Sequence, residues 1–303
     1  ALPVSIYEER YQMKKRIKTT VTPYLFLLPC AALILVILIY PVLSGVVNSF
    51  YNESLIRPVK PEFVAVENYK SLLTDSMFLD ALRRSIVWTL AILVFEMFFG
   101  LLFAVLLNKN IYCKKLFRCL VLIPWIIPNA IAGIIWKWFL NESFGMMNYL
   151  LRSTGIISHN LSWLSDEKLA AVSVVMVIIW KSIPFVAITL LAGIQAIPGD
   201  LYEAAKVDGA TGSQCFRFVT IPMLKSIMLI TAILTSIWNF NQLEIIQVVT
   251  KGGPGEATLS LPVYIYRLFM QTFQTSYASA AAVIMMIVLI IPCIVYVRKL
   301  LKE

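Results

Sequence analysis

Three stretches of this 303-residue chain contain no Asp, Glu, Lys or Arg: residues 24–52, 119–136 and 268–297. A helix of about 20 apolar residues spans the hydrocarbon core of a bilayer, so stretches of this length are membrane-span candidates. Hydrophobic residues make up 59% of the chain and charged residues 14%, whereas soluble domains have about 25% charged residues. The sequence therefore predicts an integral membrane protein.

Hydropathy predicts an all-α polytopic fold with six transmembrane helices, over 23–50, 84–107, 117–140, 168–195, 222–248 and 276–299. An even number of spans places both termini on one side of the membrane. The basic residues concentrate on that side, so the positive-inside rule makes both termini cytoplasmic. We thus divide the chain into a cytoplasmic basic segment, 1–22, and a six-span domain, 23–300. The net charge of +9 does not indicate nucleic acid, because the basic residues are spread over short loops and the chain ends.

A polar island separates the fourth and fifth predicted spans. Asp200 is expected to be the N-cap of a short helix, with Glu203 at capping-box spacing. Gly209 is expected to end the helix, because glycine readily adopts the left-handed conformation. Such a helix is shorter than the roughly 12–15 residues that are stable alone in water. It therefore needs support from neighbouring structure, and its small alanines and its carboxylate suit a partner protein.

The residues of this loop form an extended pattern. It consists of Glu203, Ala204 and Ala205, then Gly209, and then Val219, Ile221 and Pro222. This pattern resembles the cytoplasmic loop of permease subunits of binding-protein-dependent ABC importers. The resemblance implies the ABC importer permease fold, with 196–222 as the docking loop and Glu203, Ala204, Ala205, Asp208 and Gly209 as contacts to an ATPase subunit. The segments 249–254 and 261–266 resemble an outer loop of the carbohydrate and glycerol-phosphate branch of that family.

The resemblance also implies the assembly. Two ATP-binding subunits dock in the cytoplasm, a second homologous permease pairs with this one, and an extracytoplasmic solute-binding protein delivers the solute. ATP is bound by the partner subunits, so no cofactor is expected in this chain, and it is not expected to be an enzyme. The expected location is the bacterial inner membrane, with contacts to lipid and none to nucleic acid.

Polar side chains inside the predicted spans indicate the substrate pathway. Lysine at the centre of a membrane helix costs about 2.5–3.5 kcal/mol, so Lys181 requires a partner or a wet cavity. In the fifth span Thr235, Asn239 and Gln242 recur at i, i+4 and i+7, on one helix face. Together with the resemblance, these patterns give the substrate-binding candidates Trp180, Lys181, Ser182, Phe185, Thr235, Trp238, Asn239, Gln242 and Glu244.

Three charged residues in the predicted spans allow more than one interpretation. Glu96 is either a coupling contact or a hydrogen-bond partner of another helix. Glu244 replaces the aliphatic residue that the resemblance predicts, and it is either a partner of Lys181 or independent of it. Because Lys181 is a basic residue within a span, the ligand is either neutral or anionic. Pro124 and Pro128 resemble the broken third helix of the family, which is tolerated where it lines a cavity.

Three other classes of protein compete with this interpretation. A secondary transporter coupled through Glu96, Lys181 and Glu244 would act alone, but it leaves the docking loop unexplained. An intramembrane enzyme is disfavoured because His159 is the only histidine and the five cysteines show no metal-ligand spacing. An importer of amino acids or polyamines is the alternative within the same family.

Overall fold

The computed structural model describes residues 26–54, 60–109 and 112–300, except for the side chains of 295–297, 299 and 300. The predicted cytoplasmic segment 1–22 lies outside these residues. The chain divides into two compact units. The first comprises the described residues up to Tyr69 together with Phe273–Val283, and the second comprises Lys70–Thr272 and the residues from Ile284 onward.

The first unit contains helix α1 (Phe26–Asn48), whose hydrophobic side chains are mostly exposed, as expected for a lipid-facing span. A two-stranded antiparallel ribbon, β1 (Tyr51–Asn52) and β2 (Glu62–Phe63), follows it. Helix α13 (Thr275–Leu300) begins in the same unit. There, the Ser276 hydroxyl donates to Asn48 Oδ1 at 3.0 Å and the Glu53 amide donates to Ser276 Oγ at 3.0 Å. The start of α13 is thus fixed to the segment that follows α1.

The second unit contains most of the remaining helices, among them those that line the candidate site. The first, α2 (Glu67–Thr74), begins at the boundary between the units. In order, the others are α3 (Ser76–Asn108), α4 (Lys114–Ile126), α5 (Asn129–Phe139), α6 (Met146–Ser153), α7 (Glu167–Gln195), α8 (Gly199–Val207), α9 (Gly212–Cys215), α10 (Ile221–Phe240), α11 (Glu244–Val249) and α12 (Leu261–Met270).

Helices α4 and α5 meet at an angle of 94° between Ile126 and Asn129. Proline explains the break, because Pro128 directly precedes α5 and Pro124 lies within the last turn of α4. In the described part of the chain, five helices are long and apolar enough to cross a membrane, and there are six spans when the bent pair is counted as one. The all-α fold and the broken third span agree with the sequence-based prediction.

The fifth predicted span, 222–248, differs from the structure because it is not one regular helix. Helix α10 ends at Phe240, and α11 begins at Glu244. The Asn241 side-chain amide donates to the Ile237 carbonyl at 2.8 Å, and such local bonds compete with a continuing helix. Gln242 therefore lies in the short connection between α10 and α11.

The predicted docking helix is α8, and its N-cap differs from the prediction. Pro198 is the N-cap, and Asp200 lies in the first turn. There its negative charge interacts favourably with the positive N-terminal end of the helix dipole. The prediction for the C-terminus is confirmed, because Gly209 has φ +80°. The Gly209 amide donates to the Lys206 carbonyl and the Ala210 amide to the Ala205 carbonyl, which is a Schellman motif. Gly209 therefore ends α8 and reverses the chain.

Helix α3 packs along α7 at the buried side of the second unit. The two helices approach closely at Gly100, where an added Cβ would be 2.7 Å from Val186 Cβ and 3.3 Å from the Ala187 amide nitrogen. Gly193 of α7 is also enclosed, but by the terminal methyl groups of Leu224 and Ile227, each 2.8 Å from an added Cβ. Small residues of this kind let membrane helices approach closely.

We predict that Gly100→Ala lowers the melting temperature of the purified protein by several degrees. Overpacking costs about 1–3 kcal/mol, and the atoms that would clash at Gly100 include backbone and Cβ atoms that cannot rotate away. Gly193→Ala is the matched control, because the ends of Leu224 and Ile227 are free to move. The two variants would be compared by thermal unfolding in one detergent. Equal melting temperatures would contradict the assigned close approach of α3 and α7.

Candidate functional site

A cavity of about 720 Å³ opens within the second unit. Its wall combines the break between α4 and α5, one face of α7, the end of α10 and the connection to α11. The lining contains three aromatic rings, four amides, two hydroxyls and one charge of each sign. The aromatic residues are Trp125, Phe185 and Trp238, the amides are Asn129, Asn239, Asn241 and Gln242, the hydroxyls are Ser182 and Thr235, and the charged residues are Lys181 and Glu244. The cavity is therefore polar and aromatic at once.

Three aromatic side chains form a row along one wall. The rings of Trp125 and Phe185 are stacked, with centroids 5.8 Å apart and an interplanar angle of 26°. The Trp238 ring approaches Phe185 edge-on, with centroids 4.8 Å apart. Helices α4, α7 and α10 each contribute one member, so the row exists only when the three helices are assembled. Nearly half of the Trp238 surface is exposed, which leaves a ring available to a ligand.

Lys181 binds the backbone at the break between α4 and α5. Its ammonium group donates to the carbonyls of Pro124 at 3.2 Å and Trp125 at 3.3 Å, and also to the carbonyl of Ile127. The last carbonyls of a helix have no partner within the helix, and they form the negative end of its dipole. Lys181 thus acts as a cap supplied by another helix, and this contact explains how a lysine is accommodated within α7.

Glu96 and Asn239 connect α3 to α10. The Glu96 side chain is fully buried, and both of its carboxyl oxygens accept from Asn239 Nδ2 at 3.1 Å. Of the two interpretations of Glu96, the structure shows the hydrogen bond to another helix. A buried polar group without such a partner would be strongly destabilising, so the pair fixes α3 and α10 in register.

We predict that Glu96 and Asn239 are energetically coupled. Glu96→Leu and Asn239→Leu should each lower the melting temperature, because each leaves its partner unpaired, and Asn239→Leu, which strands the fully buried Glu96, should have the larger effect. The double variant removes both groups and should be no less stable than the worse single variant, with a coupling energy of about 0.5–3 kcal/mol. Thermal unfolding of all four proteins measures this coupling. Strict additivity of the two effects would mean that the bond contributes nothing to stability.

The docking loop forms a separate surface in the second unit. Glu203, Ala204, Asp208 and Gly209 are exposed, and Ala205 is partly buried. Tyr202 attaches α8 to the following segment, because its hydroxyl lies 2.9 Å from Oγ1 of the buried Thr220. Val207 is 89% exposed at the last turn of α8. An apolar side chain exposed beside the Glu203 carboxylate gives this helix a surface suited to protein contact.

Of the nine substrate-binding candidates, the structure brings eight into the cavity lining. Trp180 is absent from this lining as far as the described residues show. Its ring packs edge-on against Trp136, with centroids 5.4 Å apart, because consecutive residues of a helix project about 100° apart and Trp180 therefore points in a different direction from Lys181. Within the described chain Lys181 and Glu244 form no ion pair within 4 Å.

Sequence reasoning missed Trp125, Asn129 and Asn241. The signal for Trp125 and Asn129 was their position beside the two prolines of the broken span.

A polytopic helical protein with a broken span, a polar intramembrane cavity and a short exposed loop helix has the features of a transport permease. The family model described as binding-protein-dependent transport system inner membrane component matches residues 96–302. The chain therefore belongs to this family, and it is a multi-pass membrane permease of an ABC importer. The match contains both the cavity-lining residues and the docking loop.

Individual relatives extend the similarity over most of the chain. The sulfoquinovosyl glycerol transport system permease protein SmoG of Agrobacterium fabrum is 34% identical over 90% of this chain and 88% of its own length. The trehalose/maltose transport system permease protein MalF of Thermococcus litoralis is 35% identical over 81% of this chain and 82% of its own. The crystal structure of a bacterial ABC transporter involved in the import of the acidic polysaccharide alginate has a TM-score of 0.79 at 23% identity. It covers 92% of this chain and 95% of the matched chain.

Proposed function

We propose that this permease forms, with a second homologous permease, the membrane pathway for a sugar or a sugar-like solute. The observation that carries the proposal is the cavity in which a row of aromatic rings faces amides and hydroxyls. Rings cover the apolar faces of a sugar, while amides and hydroxyls exchange hydrogen bonds with its hydroxyl groups. The names of two relatives that are more than 30% identical, which transport sulfoquinovosyl glycerol or trehalose and maltose, support the same class.

The proposed assembly places two ATP-binding subunits on the cytoplasmic side, one of them on α8. A binding protein delivers the solute from the outside, as the family's description supports, and the complex resides in the bacterial inner membrane. ATP is bound by the partner subunits, and this chain carries out no catalysis and holds no cofactor. When the ATPase pair closes, α8 transmits the movement to the segment that begins at Gly212, and the cavity changes its access from one side to the other.

Reconstitution tests this proposal. The chain would be placed in proteoliposomes with its second permease and ATPase, and the loaded binding protein would be added outside. Trehalose and maltose are the first sugars to be tested, followed by a wider carbohydrate panel. We expect accumulation that requires ATP and each of the four components. Movement of solute by this chain alone, without ATP, would support a secondary transporter instead. Accumulation of amino acids or polyamines, and of no carbohydrate, would reassign the substrate class.

A further inference from the structure

Helix α8 is attached to the rest of the second unit at very few points. Of its residues only Tyr202 and Ala205 are partly buried, and all the others are exposed. In the described part of the chain, one hydrogen bond joins a side chain of α8 to another segment, and it is the contact of 2.9 Å between the Tyr202 hydroxyl and Thr220 Oγ1. A helix this short is not stable alone, so it depends on such contacts. Tyr202 therefore carries the specific attachment of α8.

Thr220 ends a π-helical turn, Phe216–Thr220, that connects α9 to α10. The turn is closed by a bond from the Ile221 amide to the Phe216 carbonyl, five residues back. Thr220 is buried, and its hydroxyl also lies 3.5 Å from the Cys215 carbonyl. Such π-helical turns are rare and are frequently found at functional sites. The partner of Tyr202 is thus a buried residue at the first turn of a membrane-spanning helix.

Helix α10 leads from Thr220 to the cavity. One turn after Thr220, Leu224 is fully buried in an apolar cluster that also contains Ile194 of α7. With a rise of 1.5 Å per residue, α10 is about 30 Å long. Near its far end, Trp238 and Asn239 line the cavity. A displacement of Thr220 therefore acts on a helix that forms part of the cavity wall.

The covalent connections of α8 are less direct. Between α8 and α9 the chain passes through 208–211, which is mostly exposed and reverses at Gly209. The bond between Tyr202 and Thr220 joins residues 18 positions apart, so it bypasses this loop. At its other end, α8 follows α7 after the connection 196–198. A helix attached only there can pivot, and the bond to Thr220 supplies the second point of attachment.

We propose that the hydrogen bond between Tyr202 and Thr220 is the contact that transmits movement of the docked ATPase from α8 to α10, and through α10 to the cavity. Both are positioning residues, because neither belongs to the cavity lining in the described chain. Their bond keeps α8 at a fixed distance from the start of α10, so a displacement of α8 moves α10 instead of deforming the exposed loop. The inference rests on the proposed docking of the ATPase on α8, and it applies to any class of solute.

Tyr202→Phe and Thr220→Val test the inference in proteoliposomes that contain the complete transporter and its loaded binding protein. Each variant removes one hydroxyl group and little volume. Thr220→Ser keeps the hydroxyl, and Tyr149→Phe makes the same change as Tyr202→Phe at an exposed residue of α6. The measurement is the number of solute molecules accumulated per ATP hydrolysed. Radiolabelled maltose is the first probe, and an amino acid or polyamine takes its place if that is what the transporter accumulates.

We expect Tyr202→Phe and Thr220→Val each to lower this ratio at least threefold, because the loss of one coupling contact changes the coupling between two sites by about this amount or more. Thr220→Ser and Tyr149→Phe should leave it unchanged, and all variants should retain the ATPase during purification. A purely structural role would reduce the amount of folded transporter. Uptake and hydrolysis would then fall in proportion, and the ratio would stay the same.

The outcomes separate this inference from the proposed docking. An unchanged ratio in either Tyr202→Phe or Thr220→Val would overturn the inference and leave α8 as the docking helix. Loss of the ATPase from Tyr202→Phe would assign the hydroxyl to the docking surface, and it would also overturn the inference. Full retention of the ATPase by a Glu203→Lys variant would overturn the docking itself, and the inference with it.

Discussion

Glu203→Lys is expected to leave the permease folded in its membrane and to separate it from its ATPase. Glu203 is exposed on α8, and no contact within the described chain depends on its side chain, so reversal of its charge should not affect folding. At a protein interface, truncation of one partner of a hydrogen-bonded charge pair costs about 2–5 kcal/mol. A lysine should cost at least as much, and 2 kcal/mol already weakens binding by about 30-fold.

The measurement is co-purification of the ATPase with the tagged permease, together with ATP-dependent uptake. Glu142→Lys is the control, because it makes the same change of charge at an exposed residue in a loop predicted to lie on the opposite side of the membrane. We expect full recovery of the ATPase with Glu142→Lys and a loss of at least tenfold with Glu203→Lys. If both variants retain the ATPase equally, α8 is not the docking helix.

Lys181→Met is expected to abolish most uptake of any substrate, whether neutral or charged. The variant removes the donor shared by the carbonyls of Pro124, Trp125 and Ile127, at the point where the span breaks. An unsatisfied carbonyl costs about 1–3 kcal/mol when it is buried and less where it is partly exposed, as these three are, and part of this cost falls on the arrangement of α4 and α5. The row of rings that begins at Trp125 should lose its order, so the cavity should lose its shape as well as its stability.

Two readouts separate this structural role from binding of an anionic ligand. A role in the helix break predicts a lower melting temperature of the ligand-free protein and a reduced maximal rate of uptake for a neutral sugar. A role in anion binding predicts an unchanged melting temperature and a loss confined to acidic substrates. Lys137→Met is the control, because it makes the same replacement at an exposed lysine of α5. If Lys181→Met melts at the same temperature as the unmodified protein, Lys181 does not act as the cap of α4.

Most of the fold could be predicted from the sequence, because the effects of charge-free stretches and prolines depend only on residues nearby in the chain. The spans that end at Asn108, Gln195 and Val249 stop within one residue of the predicted ends, but the first of them begins at Ser76, eight residues before the predicted start at 84. Pro124 and Pro128 indicated the break, since a missing amide affects a helix whatever its surroundings. The interruption of the fifth span at 241–243 was not predicted, because it depends on competition between the Asn241 side chain and the backbone. The N-cap at Pro198 was missed because Asp200, two residues later, has a side chain that favours N-caps and capping-box spacing to Glu203.

The sequence predicted most of the residues that line the site, but it did not predict the contacts between them. Polar residues inside apolar spans, together with the family resemblance, identified eight of the lining residues, and helical spacing placed Thr235 and Asn239 on one face. Spacing along one helix contains no information about which residues approach from another helix. The partners of Lys181 are 54 to 57 residues away along the chain, and Glu96 is 143 residues from Asn239. Those contacts decide which way the Lys181 ammonium group and the Asn239 amide point, so these two orientations emerged only from the assembled helices.

The contact between α3 and α7 at Gly100 has a practical consequence for studies of motion in this permease. Two helices whose backbones meet so closely cannot slide past each other without a clash, so they should move as a single rod. Spin labels at Leu90 and Val172, which are both exposed, are expected to report one constant distance through the whole transport cycle. The distance between these two labels is therefore a constant internal reference, and the displacement of every other span can be compared with it.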